Sequence, residues 1–365
     1  MKSEYSKEEK LYQLELLSNG FFGEKVNCGF WHEKGKKSVI KDLKFIIEPV
    51  LSDRNLFSSI REEALQYFER YDIAWWRQYE DHYFPTGHLL SSQIHCLNHL
   101  FAIRKNAEAV LSMIQPIGAS IGVSFDKVLP SFIDTNEAYY DRNVKKPISN
   151  SNYISFEFVC DNINLLGESY EKRGAKCTSV DAIVYAQAGE NRWLIPIEWK
   201  YTESYDHKIE VYSFDRYSKY VTSSSRIRQW SIDFKYEPFF ELGRQTLLME
   251  QLIIRKPLVG KKNWRHPQYR LIADNFLHII VVPSGNTLMR TDAEKFVSLL
   301  KEEYHNYVKI IDPQDFLSPV RQSQPYLFDY LQKRYWDSRM PKDFRTFADK
   351  FQNNKDNESK KTKNH

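Results

Sequence analysis

Three side chains carry the most chemistry in this sequence: Asp181, in Ser179-Val180-Asp181, and Glu198 and Lys200, in Ile197-Glu198-Trp199-Lys200. On a strand, residues two apart share a face, so Glu198 and Lys200 project together while Trp199 points the other way. Asp181-Ala-Ile-Val-Tyr-Ala186, the six residues Gln-Ala-Gly-Glu-Asn-Arg, and the run Trp193 to Tyr201 predict a β-hairpin with a six-residue connection. Pairing across it brings the Asp181 carboxylate beside Glu198. Two adjacent carboxylates repel unless a cation lies between them, and Mg²⁺ takes one or two carboxylates plus waters and phosphate oxygens. A lysine in the same place positions or deprotonates a water and steadies negative charge developing on a phosphate. The trio therefore has the parts of a metal-assisted phosphodiester hydrolase. An E-x-K on a strand also arises as a surface ion pair of little consequence. The apolar setting of Ile195, Pro196, Ile197 and Trp199 argues against that, because unpaired buried charges are costly.

The elements that must position these residues show as periodicities. Ser59 and Glu62 have capping-box spacing before a helix that aligns Ile60, Ala64, Phe68 and Tyr71, and Trp75-Trp76 with Pro85 to His88 marks a junction. From Ser91 the stripe Ile94, Leu97, Leu100, Phe101 is helical again, in a region predicted to end no later than Pro116. Tyr153 to Val159 alternates, with Ile154, Phe156 and Phe158 on one face and Ser155 and Glu157 on the other. Phe239 to Ile254 reads as a helix stacking Leu248 on Leu252, and Phe276 to Val282 as a strand buried on both faces. Thr291 and Glu294 predict the opening of a helix burying Phe296, Leu299 and Leu300, and Ser323 with Pro325 that of another. The order is helices, then helix, three strands, helix, strand and further helices, which predicts an α/β domain with helical decoration.

Composition sets the outer limits. The chain has 365 residues, 42% hydrophobic, with 8 Trp, 23 Tyr and 23 Phe, far too many large apolar side chains for a disordered polymer. The net charge of +4 is too balanced to imply nucleic acid by itself. Two tracts are nonetheless free of acids. Asp215 to Asp233 encloses Arg216, Lys219, Arg226 and Arg228, and Glu250 to Asp274 encloses Arg255, Lys256, Lys261, Lys262, Arg265 and Arg270. Interleaved with Tyr217, Tyr220, Trp230, Trp264 and Tyr269, they suit phosphate contact and base stacking, or form an ordinary solvated face.

Other chemistries find no support. Cys28, Cys96, Cys160 and Cys177 form no CxxC pair, so neither a disulfide framework nor a cysteine zinc site is expected. His95 and His99 have i, i+4 spacing but no HExxH glutamate, and read as packed or capping histidines. Ser284-Gly285 lacks a nucleophile-elbow frame, and Gly260-Lys-Lys262 lacks the second glycine of a phosphate loop. A charged N-terminus and short apolar runs point to a soluble, cytoplasmic protein without a membrane partner.

With these residues in place, the chain resembles the PD-(D/E)XK nuclease superfamily, whose core is a helix, a three-stranded meander, a helix and a fourth strand. More narrowly it resembles a bacterial family of restriction endonucleases, through Ser91 to Asn98, Phe156-Glu157, Leu166 to Glu168, Arg173-Gly174, Thr178 to Asp181, Ile197 to Glu203, Tyr236 to Phe240 with Arg244-Gln245, and Val282 to Ser284. The resemblance implies a Mg²⁺-dependent DNA endonuclease, with Mn²⁺ as substitute metal and RNA left open as substrate, in restriction and defence or DNA processing, working as a homodimer. It makes Asp181 and Glu198 metal ligands and Lys200 the catalytic lysine. Val180 stands where the motif's name has Pro. The first core helix offers Gln93 where many members place a glutamate, so the third acid falls to Glu157, with Glu168 as the other candidate. Gln245 matches a glutamine that some relatives aim at the site. Arg226, Arg228, Lys261, Lys262 and Arg265 are the expected nucleic-acid contacts. The implied organisation is an N-terminal helical extension (1–87), a nuclease-like domain (88–345) and a disordered polar tail (346–365). The alternatives are a catalytically inactive nucleic-acid-binding protein on the same fold, and an α/β protein whose Asp, Glu and Lys form a structural ion-pair network.

Overall fold

The computed structural model describes residues 3–24, 26, 28–32, 39–76, 84–130, 140–141, 146–147, 152–159, 165–168, 177–205, 214–255 and 273–336. The predicted polar tail, Arg173-Gly174, Lys261, Lys262 and Arg265 lie outside these residues. The chain runs through helix α1 (Glu4–Ser18), strands β1 (Cys28–His32) and β2 (Val39–Ile47), and helices α2 (Arg61–Arg70), α3 (Ser92–Leu100) and α4 (Ala107–Ala119). A seven-stranded sheet follows, built from β3 (Lys127–Leu129), β4 (Ile154–Phe158), β5 (Val180–Ala188), β6 (Asn191–Trp199), β7 (Asn275–Phe276), β8 (His278–Val281) and β9 (Val308–Ile311). Helices α5 (Phe239–Arg255), α6 (Thr287–Leu299), α7 (Pro313–Leu317) and α8 (Pro325–Leu331) complete the described chain.

β4, β5 and β6 form an antiparallel meander, α5 crosses over, and β8 returns parallel to β6 with β9 parallel beyond it. Helix α3, strands β4 to β6, helix α5 and strand β8 follow the predicted order of types, but α4 and β3 stand between α3 and β4, and β7 precedes β8. The sheet splits the core. Phe156, Ala182, Val184, Ile195, Ile197 and Trp199 pack with α2, α3, α4 and the C-terminal helices, while Ile183, Tyr185, Leu194 and Ile280 pack with α5 and α6.

Several local expectations are corrected. The hairpin connection is Gly189-Glu190 alone, because Gly189 adopts φ +59 and lets both strands run on into the expected loop. Helix α4 passes through Pro116, whose missing N–H costs one bond near the helix end while Met113, Ile114 and Ile117 are buried. The caps fall elsewhere: Ile60 precedes α2 without a side-chain bond, Asn286 accepts from Met289 N to open α6 a turn before Thr291, and Gln324 rather than Ser323 precedes α8. The first 87 residues are not purely helical, since β1 and β2 pair there in a hairpin. They are also tied to the rest: Gln13 donates to the Arg334 carbonyl, and the Tyr201 hydroxyl to Glu9.

The alternation in β4 breaks at Glu157, whose φ is +48. It and Asp72 have positive φ among the described non-glycine residues. Phe158 consequently joins the α5 side of the core while Phe156 stays on the α3 side, so the two do not share the face predicted for them. Such a backbone costs on the order of 1 kcal/mol or more, and it is held at the residue facing the candidate site.

His278, on β8, is fully buried and neither ring nitrogen has a hydrogen-bond partner among the described residues. Burial, and then Arg226, lowers its pKa from 6.5 to about 3. The unfolded chain takes up this proton near pH 6.5 and the native chain only near pH 3, so stability present above pH 6.5 drains away as the pH falls between the two. Between pH 7 and pH 5, His278→Leu should lose about 2 kcal/mol less stability than wild type in urea denaturation. Equal losses would refute this.

Candidate active site

The register of the meander brings the acids together. Ala182 pairs with Ile197, so one step along Asp181 lies opposite Glu198, and Glu157, between the Phe156↔Ala182 and Phe158↔Val180 pairs, lies opposite Asp181. Glu157, Asp181 and Glu198 thus form a row across three adjacent strands. Asp181 Oδ2 accepts from the Trp199 backbone N–H at 2.7 Å, which fixes the carboxylate against the next strand. Lys200 continues β6, its N–H donating to the Val281 carbonyl at 2.9 Å, and its ammonium pairs with Glu198 at 2.5 Å.

A fourth carboxylate, not anticipated, completes the cluster: Glu241 on α5 also pairs with Lys200. Gln245, one turn later on the same helix face, donates to Glu198 Oε2 at 2.5 Å and to the Ser179 carbonyl at 2.9 Å. Its Oε1 is buried without a hydrogen-bond partner among the described residues, which leaves an acceptor oxygen beside Glu198. From the other side Gln93 donates to Glu157 Oε1 at 2.7 Å and to the Ala74 carbonyl, while accepting from Trp76 N. Phe68, Gln93, Phe156, Glu157 and Asp181 line a narrow crevice here, too tight to admit a water molecule.

This density of negative charge has consequences. Burial, and then Glu157, pushes the Asp181 carboxyl up, while burial, Asp181 and Glu241 do the same to Glu198. For Lys200 burial favours the neutral amine, but Glu198 and Glu241 outweigh it and hold the ammonium charged, above the usual lysine range. For Glu241 burial is likewise outweighed, here by Lys200, and its pKa falls. Lys200 therefore meets Asp181, Glu198 and Glu241, with Glu237 and Arg244 close behind Glu241 and Glu157 pressing on Asp181, a balance that a further cation would improve.

The remaining expected residues lie elsewhere or do other work. Glu168 is held by Thr178, Tyr217 and Arg244, and is not among the leading influences on Asp181 or Glu198. Arg226 corrects the expectation of a nucleic-acid contact: it is 5% exposed, lies over the Phe276 ring and donates to Asn275 and to the Phe276 carbonyl. Arg228 is exposed, and its guanidinium donates to the Ser298 and Leu300 carbonyls. His95 and His99 are buried packing residues, as expected. His95 Nδ1 accepts from the Trp199 indole, and burial takes His99 down to about 3. Glu241 was detectable in principle, since it precedes Gln245 by one helical turn. Among the described residues no three His, Cys, Asp or Glu side chains form a ready-made metal cage, and no helix is long and apolar enough to cross a membrane.

A family model described as Restriction Endonuclease associating with ARP (REase-ARP) matches residues 20–336. No curated protein and no solved structure matches the chain.

Proposed function

Because this chain belongs to the REase-ARP family of restriction endonucleases, we propose that it is a metal-dependent endonuclease hydrolysing DNA phosphodiester bonds, with a PD-(D/E)XK core formed by α3, β4 to β6, α5 and β8. The observation that carries this reading is the row Glu157, Asp181 and Glu198 with Lys200 at its end, where α3 and α5 meet the meander, Glu157, Glu198 and Lys200 being buried and Asp181 partly exposed.

The residues fit a divalent cation. Burial and Glu157 raise the cost of ionising Asp181, burial, Asp181 and Glu241 that of ionising Glu198, and the buried Gln245 oxygen has no partner among the described residues. Mg²⁺ needs only one or two carboxylates, taking its other ligands from water and phosphate. Asp181 and Glu198 would hold it, with Glu157 beside Asp181 as the third acid and Glu241 beside Glu198. The bound metal would supply positive charge to the phosphate and a more acidic water. Lys200, held as an ammonium by Glu198 and Glu241, would orient the attacking water and steady charge on the phosphate. Gln245 orients Glu198, and Gln93 orients Glu157. DNA as substrate follows from the family, whose description also names association with ARP, and we take such a partner as part of the proposal.

Titration of Mg²⁺ and Mn²⁺ into plasmid DNA with the purified protein tests this. The expected result is nicking that appears with metal and is abolished by EDTA. DNA binding without metal-stimulated cleavage over a range of substrates would replace the proposal with a non-catalytic binding role.

A further inference from the structure

A second cavity, of about 390 Å³, opens where α8 packs on the segment leading into α2. Its volume is in the range of small-ligand pockets. One wall is aromatic and held in place. Tyr330 stacks on Phe57 with ring centroids 4.4 Å apart, faces Phe21 at 5.8 Å, and its hydroxyl accepts from the fully buried Arg334 at 2.6 Å. Tyr326, one turn earlier on α8, lines the same cavity yet is 86% exposed. A tyrosine face left in water beside a cavity is a stacking surface without a partner.

The charged part of the lining is mostly cationic: Arg54, Arg61 and Lys333 against one carboxylate, Asp329. These cations are only partly committed. Arg54 donates to the Glu24 carbonyl at 3.1 Å, Arg61 Nε lies 3.5 Å from Asp53 and makes no hydrogen bond, and the 2.7 Å Lys333–Asp329 pair is solvent-exposed and so weak. Ser58 and Ser59 bring hydroxyls to the start of α2, where Ile60 offers no side-chain cap to the first-turn N–H groups.

We propose that this cavity binds a nucleoside 5′-phosphate, its phosphate among Arg54, Arg61 and Lys333 and its base against Tyr326 and Tyr330. The ligand is either a free nucleotide or an unpaired nucleotide of a DNA strand. Helix α2 joins the cavity to the crevice of the acids, because Arg61 begins it and Phe68, about 10 Å further along the axis, lines that crevice.

The test is calorimetric titration of the full chain in EDTA with dAMP, inorganic phosphate and a short single-stranded oligonucleotide. Without divalent metal the outcome is independent of whether the protein cleaves DNA. Tyr326→Ala should weaken dAMP about 10-fold and leave phosphate unchanged, Lys333→Ala should weaken both, and Asp329→Asn should tighten both. All three side chains are exposed, so these variants should fold. Oligonucleotide binding much tighter than dAMP, and lost with Tyr326→Ala, assigns the strand source, whereas equal affinities assign the free nucleotide. Failure of both ligands to bind, binding that Tyr326→Ala and Lys333→Ala leave unchanged, or phosphate binding as tightly as dAMP would overturn the proposal.

Discussion

Asp181→Asn and Lys200→Ala should each leave a folded protein whose metal-stimulated plasmid cleavage has dropped by on the order of 10³-fold or more. Asparagine keeps an oxygen to accept the Trp199 N–H, so the hairpin survives, but it removes one of the two negative charges that would hold a cation. Lys200→Ala leaves Glu198 and Glu241 without their counter-charge. Glu198 already ionises reluctantly, because of burial, Asp181 and Glu241, so it takes up a proton rather than forcing the core open. Nicking time courses at fixed Mg²⁺, with circular dichroism melts as the check on folding, measure the effect. Wild-type nicking by both variants would sink the assignment of these residues. If Lys200→Ala proved unfolded, Asp181→Asn would decide alone.

The parts of the site that could be read in advance are those settled within one hairpin. Strand parity alone places Glu198 and Lys200 on one face and Trp199 on the other, and pairing brings Asp181 across from Glu198. The fold order follows from equally local patterns, such as the Ile279-Ile280-Val281 run of β8 and the stripe of α3. What escaped depends on contacts distant in sequence. Glu241 stands a turn before Gln245, but which face of α5 meets β6 is decided only when the crossover packs. Arg226 belongs to a basic tract and is nonetheless drawn inward, because Phe276 and Asn275 from another element provide its stacking face and acceptor. The positive φ of Glu157 has no signature in an alternating strand, yet it moves Phe158 to the other side of the sheet. The helix starts at Ser59, Thr291 and Ser323 failed for a simpler reason. Capping-box spacing, as at Ser59 and Thr291, and a serine shortly before a proline, as at Ser323, recur within and before helices, and only the backbone conformation distinguishes a true cap.

Trp199→Ala should destabilise the protein by about 3–5 kcal/mol in urea denaturation, and Trp199→Phe by about 1–3 kcal/mol. The indole is fully buried on the face of β6 opposite the acids, against His99 and Phe316, and its N–H donates to His95 Nδ1 at 2.5 Å. His95 can accept that bond because burial, and then His99, keeps it neutral, its pKa well below the usual histidine value. Alanine opens a cavity and leaves the imidazole nitrogen unpaired in the core; phenylalanine fills much of the space but still orphans the nitrogen. The same residue supplies the backbone N–H that fixes Asp181, and the next supplies the ammonium that faces Glu198. Loosening this strand should therefore raise the Mg²⁺ concentration needed for half-maximal cleavage in Trp199→Ala even at temperatures where it is folded. A stability loss below about 1 kcal/mol, or an unchanged metal requirement, would mean that the row of acids is positioned by α3 and α5 and not by the packing behind β6.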